Sequence, residues 1–320
     1  MRYLNEEDVL KIGIDWPSLF EVIESATAVI NDHAFSQPVK PYLRYKDPRN
    51  RIIAMPAYVG GGFDTAGIKW IASFPGNIKK GIPRAHSVMI LNESDTGKPY
   101  CIFNTGLLSG IRTASVTGSV INKYLAGSVR GKINFGMIGY GFIGRLHLSM
   151  IMECFEPFID KIYLYDLTKI NEEEVPSGWK ERVVLCPGWE DVFDAADVFI
   201  TCTVSESRYI DRPPIRPSLH LNVSLRDYTT AFMRKADLII VDNWEEVCRE
   251  NTDIECMHRE GTLDEGQVHT IIDVFQGNIL TGVEDKVVMF NPMGMAVYDM
   301  AIARHYWNLA DKSNIGVQLA

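Results

Sequence analysis

The chain has 320 residues, of which 46% are hydrophobic and 23% are charged, and its formal net charge is −9. This length predicts about two domains, and the balanced composition argues against disorder and low-complexity character. An acidic chain without a basic run is poorly suited to binding nucleic acid or an anionic membrane surface.

In chain order, the N-terminal residues MRYLNEEDVL lack the basic start and the apolar run of a signal peptide. No apolar run reaches the roughly 18 residues that a membrane-spanning helix needs. We therefore expect a cytoplasmic protein without a membrane partner. The six cysteines form no C-x-x-C pair, so we expect reduced thiols and predict neither a disulfide framework nor a metal site.

The first 110 residues predict a small α+β domain. An amphipathic helix is expected over residues 17–33. Apolar, strand-like segments follow, separated by turns rich in Gly, Pro and Asp, at 51–59, 66–72, 87–92 and 100–104. A long helix over about 107–125 leads out of this domain.

From residue 132 onward, short continuous apolar runs alternate with amphipathic stretches. The strand-like runs are 133–138, 162–165, 182–186, 197–203, 219–225, 238–241 and 287–290, and the helical stretches include 142–155, 189–196 and 244–250. Continuous apolar runs are typical of strands buried on both faces, so the fold class is α/β with a Rossmann-type doubly wound sheet.

The C-terminal segment, 294–310, is a helical stretch that we expect to return to the first domain. The predicted domains are residues 1–112 with 300–320, for substrate binding and dimerisation, and residues 113–299, for dinucleotide binding.

The sharpest local motif is Gly139-Tyr140-Gly141-Phe142-Ile143-Gly144, placed between a predicted strand and a predicted helix. In such a turn the first glycine permits a tight bend, the second admits a pyrophosphate, and the third allows close packing of helix and strand. Asp166 follows the next strand, 22 positions after Gly144, where an acid can accept hydrogen bonds from a ribose. The pattern predicts a dinucleotide site.

Asp166 would repel a 2′-phosphate and no Arg follows it directly, so NAD is favoured over NADP, although Lys169 lies nearby. Ligands bind at the carboxyl ends of the strands in such sheets. Thr203, Val204 and Ser224 lie at later strand ends and are therefore further candidate cofactor contacts.

Three basic residues of the first part of the chain are candidates for holding a substrate carboxylate: Arg44, Lys69 and Arg112. Lys69 lies in an otherwise apolar strand-like segment, so it either reaches out of an edge or points into a polar cleft. Arginine suits bidentate carboxylate binding, and a partly desolvated lysine can transfer protons. Of the seven histidines, His86 is the most plausible cleft residue, but a structural role is favoured for it.

The chain resembles a known protein family in several of these residues and segments. Arg44, the segments 67–70, 89–92, 112–114 and 291–296, and the glycine motif are spaced as in the ornithine cyclodeaminase/mu-crystallin family. The resemblance covers nearly the whole chain. It implies a Rossmann domain that binds NAD(P), dimerisation through the other domain, and oxidation of an amino-acid C–N centre to an imine, or the reverse.

The segments 40–44, 51–56, 201–204 and 291–296 are similar to one branch of that family. This resemblance implies NAD-dependent oxidation of the secondary amine N-(2-amino-2-carboxyethyl)-L-glutamate. The imine then hydrolyses to 2-oxoglutarate and L-2,3-diaminopropionate, which is used in siderophore biosynthesis. A small amino-acid-derived substrate and a homodimer are therefore expected.

Carried over by resemblance, Arg44 and Lys69 match a substrate-carboxylate pair, while Arg112 and Thr113 match a segment near the cofactor phosphates and the substrate. Phe142 and Ile143 lie within the cofactor motif, and Met293 and Gly294 match a loop near the nicotinamide.

One segment departs from the cyclodeaminase pattern, in which a catalytic Asp in Gly-Gly-Asp or Gly-Ala-Asp precedes Pro-Gly-Lys. Here the residues are Ser224-Leu225-Arg226-Asp227-Tyr228-Thr229-Thr230, so the Asp is displaced by one position and the Lys is missing. This weakens the case for cyclodeamination. Asp227 remains a candidate base or proton relay beside Lys69.

Two alternatives stay open. One is another activity of the family: an amino-acid dehydrogenase, a ketimine reductase or an ornithine cyclodeaminase. The other is a non-catalytic protein that binds a small ligand and NAD(P)H.

Overall fold

The structure is a computed structural model that describes residues 1–128 and 131–319. It divides into two compact units, one of Met1–Val116 with Gly294–Ala320 and one of Thr117–Met293. Residues 113–116 and 294–299, which the sequence analysis placed with the second domain, belong to the first unit. The first boundary therefore lies four residues later in the chain than predicted, and the second lies six residues earlier.

The first unit contains a mixed sheet with helices. Its helices are α1 (Glu6–Ile12), α2 (Trp16–Asn31), the start of α3 (Leu107–Ser128), and α10 (Ala296–Lys312). Its strands are β1 (Arg2–Asn5), β2 (Phe35–Ser36), β3 (Tyr42–Leu43), β4 (Arg51–Val59), β5 (Thr65–Ser73), β6 (Ala85–Glu93), β7 (Pro99–Asn104) and β16 (Val317–Gln318). The sheet order is β16-β1-β7-β6-β5-β4-β2, with β3 also paired to β4.

The two faces of this sheet differ in burial. Strands β4 to β7 form an antiparallel meander, and alternate residues such as Met55, Lys69, Met89 and Phe103 are buried. Helix α10 packs against α2, β4 and β5. The residues between the buried ones are half-buried or exposed, which is the alternation expected of a sheet with one covered face.

The N-terminal strand was not anticipated from the sequence. Strand β1 pairs in parallel with β7, and β16 pairs with β1 from the other side. Helix α1 starts at a capping box in which Asn5 and Asp8 exchange backbone and side-chain hydrogen bonds. A short strand whose partner is about a hundred residues away leaves little local signal.

The second unit is a parallel sheet with helices between its strands. Its strands are β8 (Ile133–Ile138), β9 (Ile159–Tyr165), β10 (Val183–Leu185), β11 (Val198–Thr201), β12 (Ser218–Asn222), β13 (Leu238–Val241), β14 (His269–Thr270) and β15 (Val287–Asn291). Its helices after α3 are α4 (Phe142–Cys154), α5 (Trp189–Ala195), α6 (Thr230–Met233), α7 (Trp244–Val247), α8 (Asp253–Arg259) and α9 (Ile271–Gln276).

The strand order β10-β9-β8-β11-β12-β15-β13-β14, parallel throughout, is a Rossmann-type doubly wound sheet. The predicted fold class is therefore confirmed. The chain runs outward from β8 to one side and from β11 to the other, so the loop after β8 lies at the switch point of the sheet.

Two predicted strands end earlier than expected. The runs 197–203 and 219–225 end as strands at Thr201 and Asn222. Leu225 has a φ of 64°, which a strand does not accommodate. The polar residues beyond these strand ends form loops at the carboxyl edge of the sheet. Among the described residues, no helix is both long and apolar enough to cross a membrane.

Candidate active site

The glycine motif forms the turn from β8 to α4. Gly139 has a φ of 91°, and an added Cβ there would lie 2.6 Å from the backbone carbonyl of Cys202. A Cβ at Gly144 would collide with the carbonyl oxygen of Gly139, so helix and turn pack too closely for any side chain. Gly141 is the N-cap of α4 and has open space where its Cβ would point. The turn thus leaves a helix N-terminus free to receive a pyrophosphate.

Asp166 lies at the end of β9, as predicted. Its Oδ2 accepts a hydrogen bond of 2.7 Å from the backbone N–H of Tyr140, and its Oδ1 accepts one of 2.7 Å from that of Thr168. These bonds fix the carboxylate against the glycine turn while leaving lone pairs for hydroxyl donors.

A cavity of about 730 Å³ opens beside this carboxylate, at the carboxyl ends of β9 and β10. Its walls include Asp166, Ile170, Leu185 and Pro187, with Glu172 and Glu173 at one side. One acid for ribose hydroxyls and apolar walls for a flat base fit the adenosine half of NAD. Glu172 and Glu173 add negative charge that disfavours a 2′-phosphate, whereas Lys169, which also lines the cavity, adds a positive charge.

The later strand ends form a cluster of hydroxyl groups around Asp227. Thr203 Oγ1 donates to its Oδ1 over 2.6 Å, and Ser224 Oγ donates to its Oδ2. Thr201 Oγ1 and Ser224 Oγ are 2.7 Å apart. Burial raises the pKa of Asp227, and hydrogen bonds from Ser224, Thr203, Thr201 and Tyr209 oppose that rise.

This geometry bears on the predicted role of Asp227 as base or relay. Its side chain is fully buried, and both carboxylate oxygens already accept hydroxyl donors. A general base must come within hydrogen-bond reach of the proton that it removes. In this structure Asp227 is bonded to Thr203 and Ser224 at the edge of the sheet, and its role as base or relay remains a prediction.

The remaining predicted cofactor residues of the second unit occupy varied positions. Phe142 and Val204 are exposed, and Ile143 is half-buried in the first turn of α4. The Met293 backbone N–H donates to Asp242 Oδ1 over 3.0 Å, which fixes the chain just beyond β15. That these residues contact a cofactor remains a prediction.

A buried cluster of charges occupies the covered face of the first unit's sheet. Lys69 Nζ on β5 lies 2.7 Å from Asp299 Oδ2, and Arg112 Nε on α3 lies 2.9 Å from Asp299 Oδ1. The three side chains are between 0 and 8% exposed. We call Lys69, Arg112 and Asp299 the ion cluster. Two of its members were predicted from the sequence.

The ion cluster changes the acid–base properties of its members. Burial, aided by the charges of Arg112 and Lys40 and opposed by Asp299, lowers the pKa of Lys69 to about 7. Burial alone would raise the pKa of Asp299, but Arg112 and Lys69 outweigh it and hold that pKa below its usual range. Lys69 can therefore exchange a proton near neutral pH, whereas Asp299 stays ionised.

Two further residues of the first unit lie near these charges. Lys40 is buried, and its Nζ donates to the carbonyl oxygen of Gly294 over 2.7 Å. Thr113 Oγ1 donates to the carbonyl oxygen of Ser109, one turn earlier in α3. The Ser109 hydroxyl is in turn 3.4 Å from Lys69 Nζ.

Arg44 is exposed, and its guanidinium lies 5.0 Å from the ring centroid of Tyr42. Tyr42 pairs with Ile53, which pairs with Ile71, so Tyr42 shares the sheet face of Lys69. The role of Arg44 in substrate binding remains a prediction.

His86 pairs with Ala72, which lies three residues after Lys69 on the same strand. Side chains alternate between faces along a strand, so His86 lies on the face opposite Lys69. This position separates it from the ion cluster.

Asp299 is the functional candidate that sequence reasoning missed. Its signal was an acid within the apolar stretch Ala296–Ala303, where the flanking Tyr298 and Met300 are also fully buried. An acid at a core position of a helix requires a cationic partner. The partners come from segments roughly 190 and 230 residues away, which the sequence alone did not connect.

These features together define a class of protein. The chain belongs to the ornithine cyclodeaminase/mu-crystallin family, whose model matches residues 8–314.

Among individual relatives, the chain is similar to N-((2S)-2-amino-2-carboxyethyl)-L-glutamate dehydrogenase of Staphylococcus aureus, with 31% identity over 340 aligned positions that cover 100% of this chain and 98% of the relative. Two solved structures share the fold. One is Thermococcus litoralis Delta(1)-pyrroline-2-carboxylate reductase in complex with NADH and L-proline, with a TM-score of 0.88, 22% identity and complete coverage of both chains. The other is an archaeal alanine dehydrogenase dimer with bound NAD, with a TM-score of 0.82, 23% identity and coverage of 100% and 99%.

Proposed function

We propose that this protein catalyses the NAD-dependent oxidation of N-(2-amino-2-carboxyethyl)-L-glutamate. The products are 2-oxoglutarate, L-2,3-diaminopropionate, NADH and a proton, with one water consumed. At the level of class, the chain is an NAD-dependent oxidoreductase that acts on a C–N bond of an amino acid. The specific substrate is supported by the 31% identical relative, which carries this activity in its name.

The observation that carries the proposal is the ion cluster in a chain that also has a complete dinucleotide turn. Arg112 is held at its Nε by Asp299, with its terminal nitrogens beside Gly294, and a guanidinium suits bidentate binding of a carboxylate. A buried lysine with a pKa near 7 is suited to accept an amine proton. The proposed substrate has both groups, since its reacting nitrogen lies next to the glutamate α-carboxylate.

We assign the steps as follows. Arg112 binds the α-carboxylate of the glutamate moiety, and orientation of this kind supplies much of the rate. The glycine turn and Asp166 would hold NAD, which would supply the hydride acceptor for the α-hydrogen. Lys69 removes the proton from the substrate amine, so that the nitrogen lone pair can form the C=N bond. Lys69 then returns the proton as water adds to the imine carbon and the C–N bond breaks.

Arg44 is proposed to bind a second carboxylate of the substrate. The substrate has three carboxylates, so cations beyond Arg112 are required for neutralisation. Thr203, Ser224 and Asp227 are proposed to contact the cofactor or to orient groups that do, together with Thr113, Met293 and Gly294.

We also propose that the protein is a homodimer formed through the open face of the first unit's sheet. Trp70 is 43% exposed there, although it is a large apolar side chain on a long central strand. Ala54 and Val88 pair with Trp70 across the sheet. Further apolar residues on the same face are Ile68, Ile90 and Ile102. A continuous apolar face of this kind is typical of a protein interface, and a second copy would bury the same face on both chains.

The experiment that tests the proposed function is incubation of the purified protein with NAD and one amine at a time, followed by NADH absorbance. We expect NADH with N-(2-amino-2-carboxyethyl)-L-glutamate and not with alanine, proline or ornithine. Formation of NADH with alanine or proline would assign the protein to another activity of the family. Binding of NADH without reduction of NAD by any amine would support a non-catalytic role.

The proposal places the protein in the cytoplasm, where it would supply 2,3-diaminopropionate for siderophore assembly. Deletion of its gene should then abolish growth under iron limitation, with recovery when 2,3-diaminopropionate is added. Normal growth of the deletion strain under iron limitation would contradict this placement.

A further inference from the structure

Asp299 binds two cations at once in the ion cluster. Each of its carboxylate oxygens has its own partner, the ammonium of Lys69 for Oδ2 and the Nε–H of Arg112 for Oδ1. Its side chain is fully buried, so water does not share this binding. The distance between Lys69 and Arg112 is thereby set by one carboxylate.

The backbone around Asp299 is fixed in place by its neighbours in α10. The hydroxyl of Tyr298 lies 2.9 Å from that of Thr27 on α2, and both residues are fully buried. Met300 packs over Gly67, where an added Cβ would lie 2.7 Å from its sulfur. Helix α10 can therefore neither rotate nor shift without breaking these contacts, and the carboxylate position is correspondingly well defined.

We propose that Asp299 is a positioning residue of this enzyme: it holds Lys69 and Arg112 at a fixed separation and sets the pH at which Lys69 exchanges its proton. This inference deepens the proposed function, because it rests on Lys69 as the group that takes the amine proton. Asp299 itself contacts no reacting atom in this account.

The charged groups around Lys69 give the direction of the effect. Arg112 from α3 and Lys40 from the segment before β3 favour the neutral amine, and Asp299 from α10 favours the ammonium. Removal of the Asp299 charge leaves the two cations unopposed. The protonation midpoint of Lys69 should then fall by about 1–3 pH units.

The test compares Asp299→Asn with Asp311→Asn, a matched control. Asp311 lies on the same helix and pairs with Arg2, but it is 55% exposed and remote from the ion cluster. The protonation of Lys69 is followed by NMR of protein labelled at lysine 13Cε, with the resonance assigned by its loss in Lys69→Met. We expect a lower midpoint in Asp299→Asn and an unchanged midpoint in Asp311→Asn. An unchanged midpoint in folded Asp299→Asn would overturn the proposal.

Asp299→Glu covers the case in which Asp299→Asn does not fold. The charge is retained, so the Lys69 midpoint should stay within about 1 pH unit. The carboxylate is displaced by one methylene, so we expect a kcat about 100-fold lower with NAD affinity unchanged. A wild-type kcat in this variant would refute the positioning role.

The NMR titration requires no substrate, so its outcome is independent of the proposed reaction. If the midpoint shifts as expected but the proposed amine gives no NADH with wild-type protein, the function is refuted and the role of Asp299 in setting the protonation of Lys69 stands.

Discussion

Replacement of Lys69 by methionine tests the assignment of the amine base. Methionine keeps most of the length of the side chain and removes the ammonium. Lys69 is only 1% exposed, and its Nζ is 2.7 Å from Asp299, so the change is confined to the ion cluster.

The structure gives the expected size of the effect on stability. At 2.7 Å and an effective dielectric of about 20, the attraction between Lys69 and Asp299 is about 6 kcal/mol. Desolvation, together with the charges of Arg112 and Lys40, outweighs this attraction, because the pKa of Lys69 falls from 10.5 to about 7. Asp299 also keeps Arg112 as a partner in the variant. We therefore expect Lys69→Met to lower the free energy of unfolding by less than the loss of about 3–5 kcal/mol caused by leaving a buried charge without a partner.

The effect on catalysis should be much larger. Loss of a general base lowers the rate by about 10²–10⁴-fold, or about 3–5 kcal/mol of barrier. The assay is initial-rate NADH formation, with NAD affinity measured separately by quenching of tryptophan fluorescence. Lys98→Met is the control, because Lys98 is exposed in the turn between β6 and β7.

We expect folded Lys69→Met to bind NAD normally and to lose turnover, while Lys98→Met keeps both. A kcat within a few-fold of wild type in Lys69→Met would refute the reasoning. Loss of NAD binding together with turnover would mean that the variant is damaged beyond the ion cluster.

The remaining predictions concern pH, the cofactor and the dimer. Because Lys69 loses its proton near pH 7 in the free protein and acts as a base only when neutral, kcat/KM should rise through about pH 7 and then level; a fall above pH 7 would show that the cation is the active form. Gly144→Ala should abolish measurable NAD binding in titrations, because its Cβ collides with the Gly139 carbonyl; unchanged affinity would contradict the packing of the turn. Asp166→Ala should weaken NAD binding about 10-fold or more and leave NADP binding less affected, as judged by the ratio of the two Kd values. Trp70→Glu should shift the species seen by light scattering from dimer to monomer; a dimer that persists would exclude the open face as the interface.

The parallel sheet was predictable because its strands carry their own signals. Buried strands read as continuous apolar runs, and β8 and β13 have the bounds that the sequence predicts. The glycine motif and Asp166 were equally readable, since their chemistry depends on residues a few positions apart. Lys69 was identified because a lysine inside an apolar strand needs an explanation.

Other features depend on contacts between distant parts of the chain. In the sequence Asp299 is a single acid in a predicted helix. Its partners Lys69 and Arg112, on β5 and α3, contact it only in the folded chain. Strand β1 could not be predicted locally, because it is recognised as a strand by its pairing with β7. The hydrogen bonds to Asp227 come from hydroxyl groups that follow two different strands, which sequence order does not place together.

The central claim is that hydride leaves the glutamate α-carbon of the proposed secondary amine. The most direct measurement uses N-(2-amino-2-carboxyethyl)-L-glutamate deuterated at that carbon, with the NADH and both amino-acid-derived products analysed by mass spectrometry. The account predicts one deuterium in each NADH formed, none in the 2-oxoglutarate at its carbonyl carbon, and equal amounts of the three products. Unlabelled NADH from the deuterated amine would contradict it.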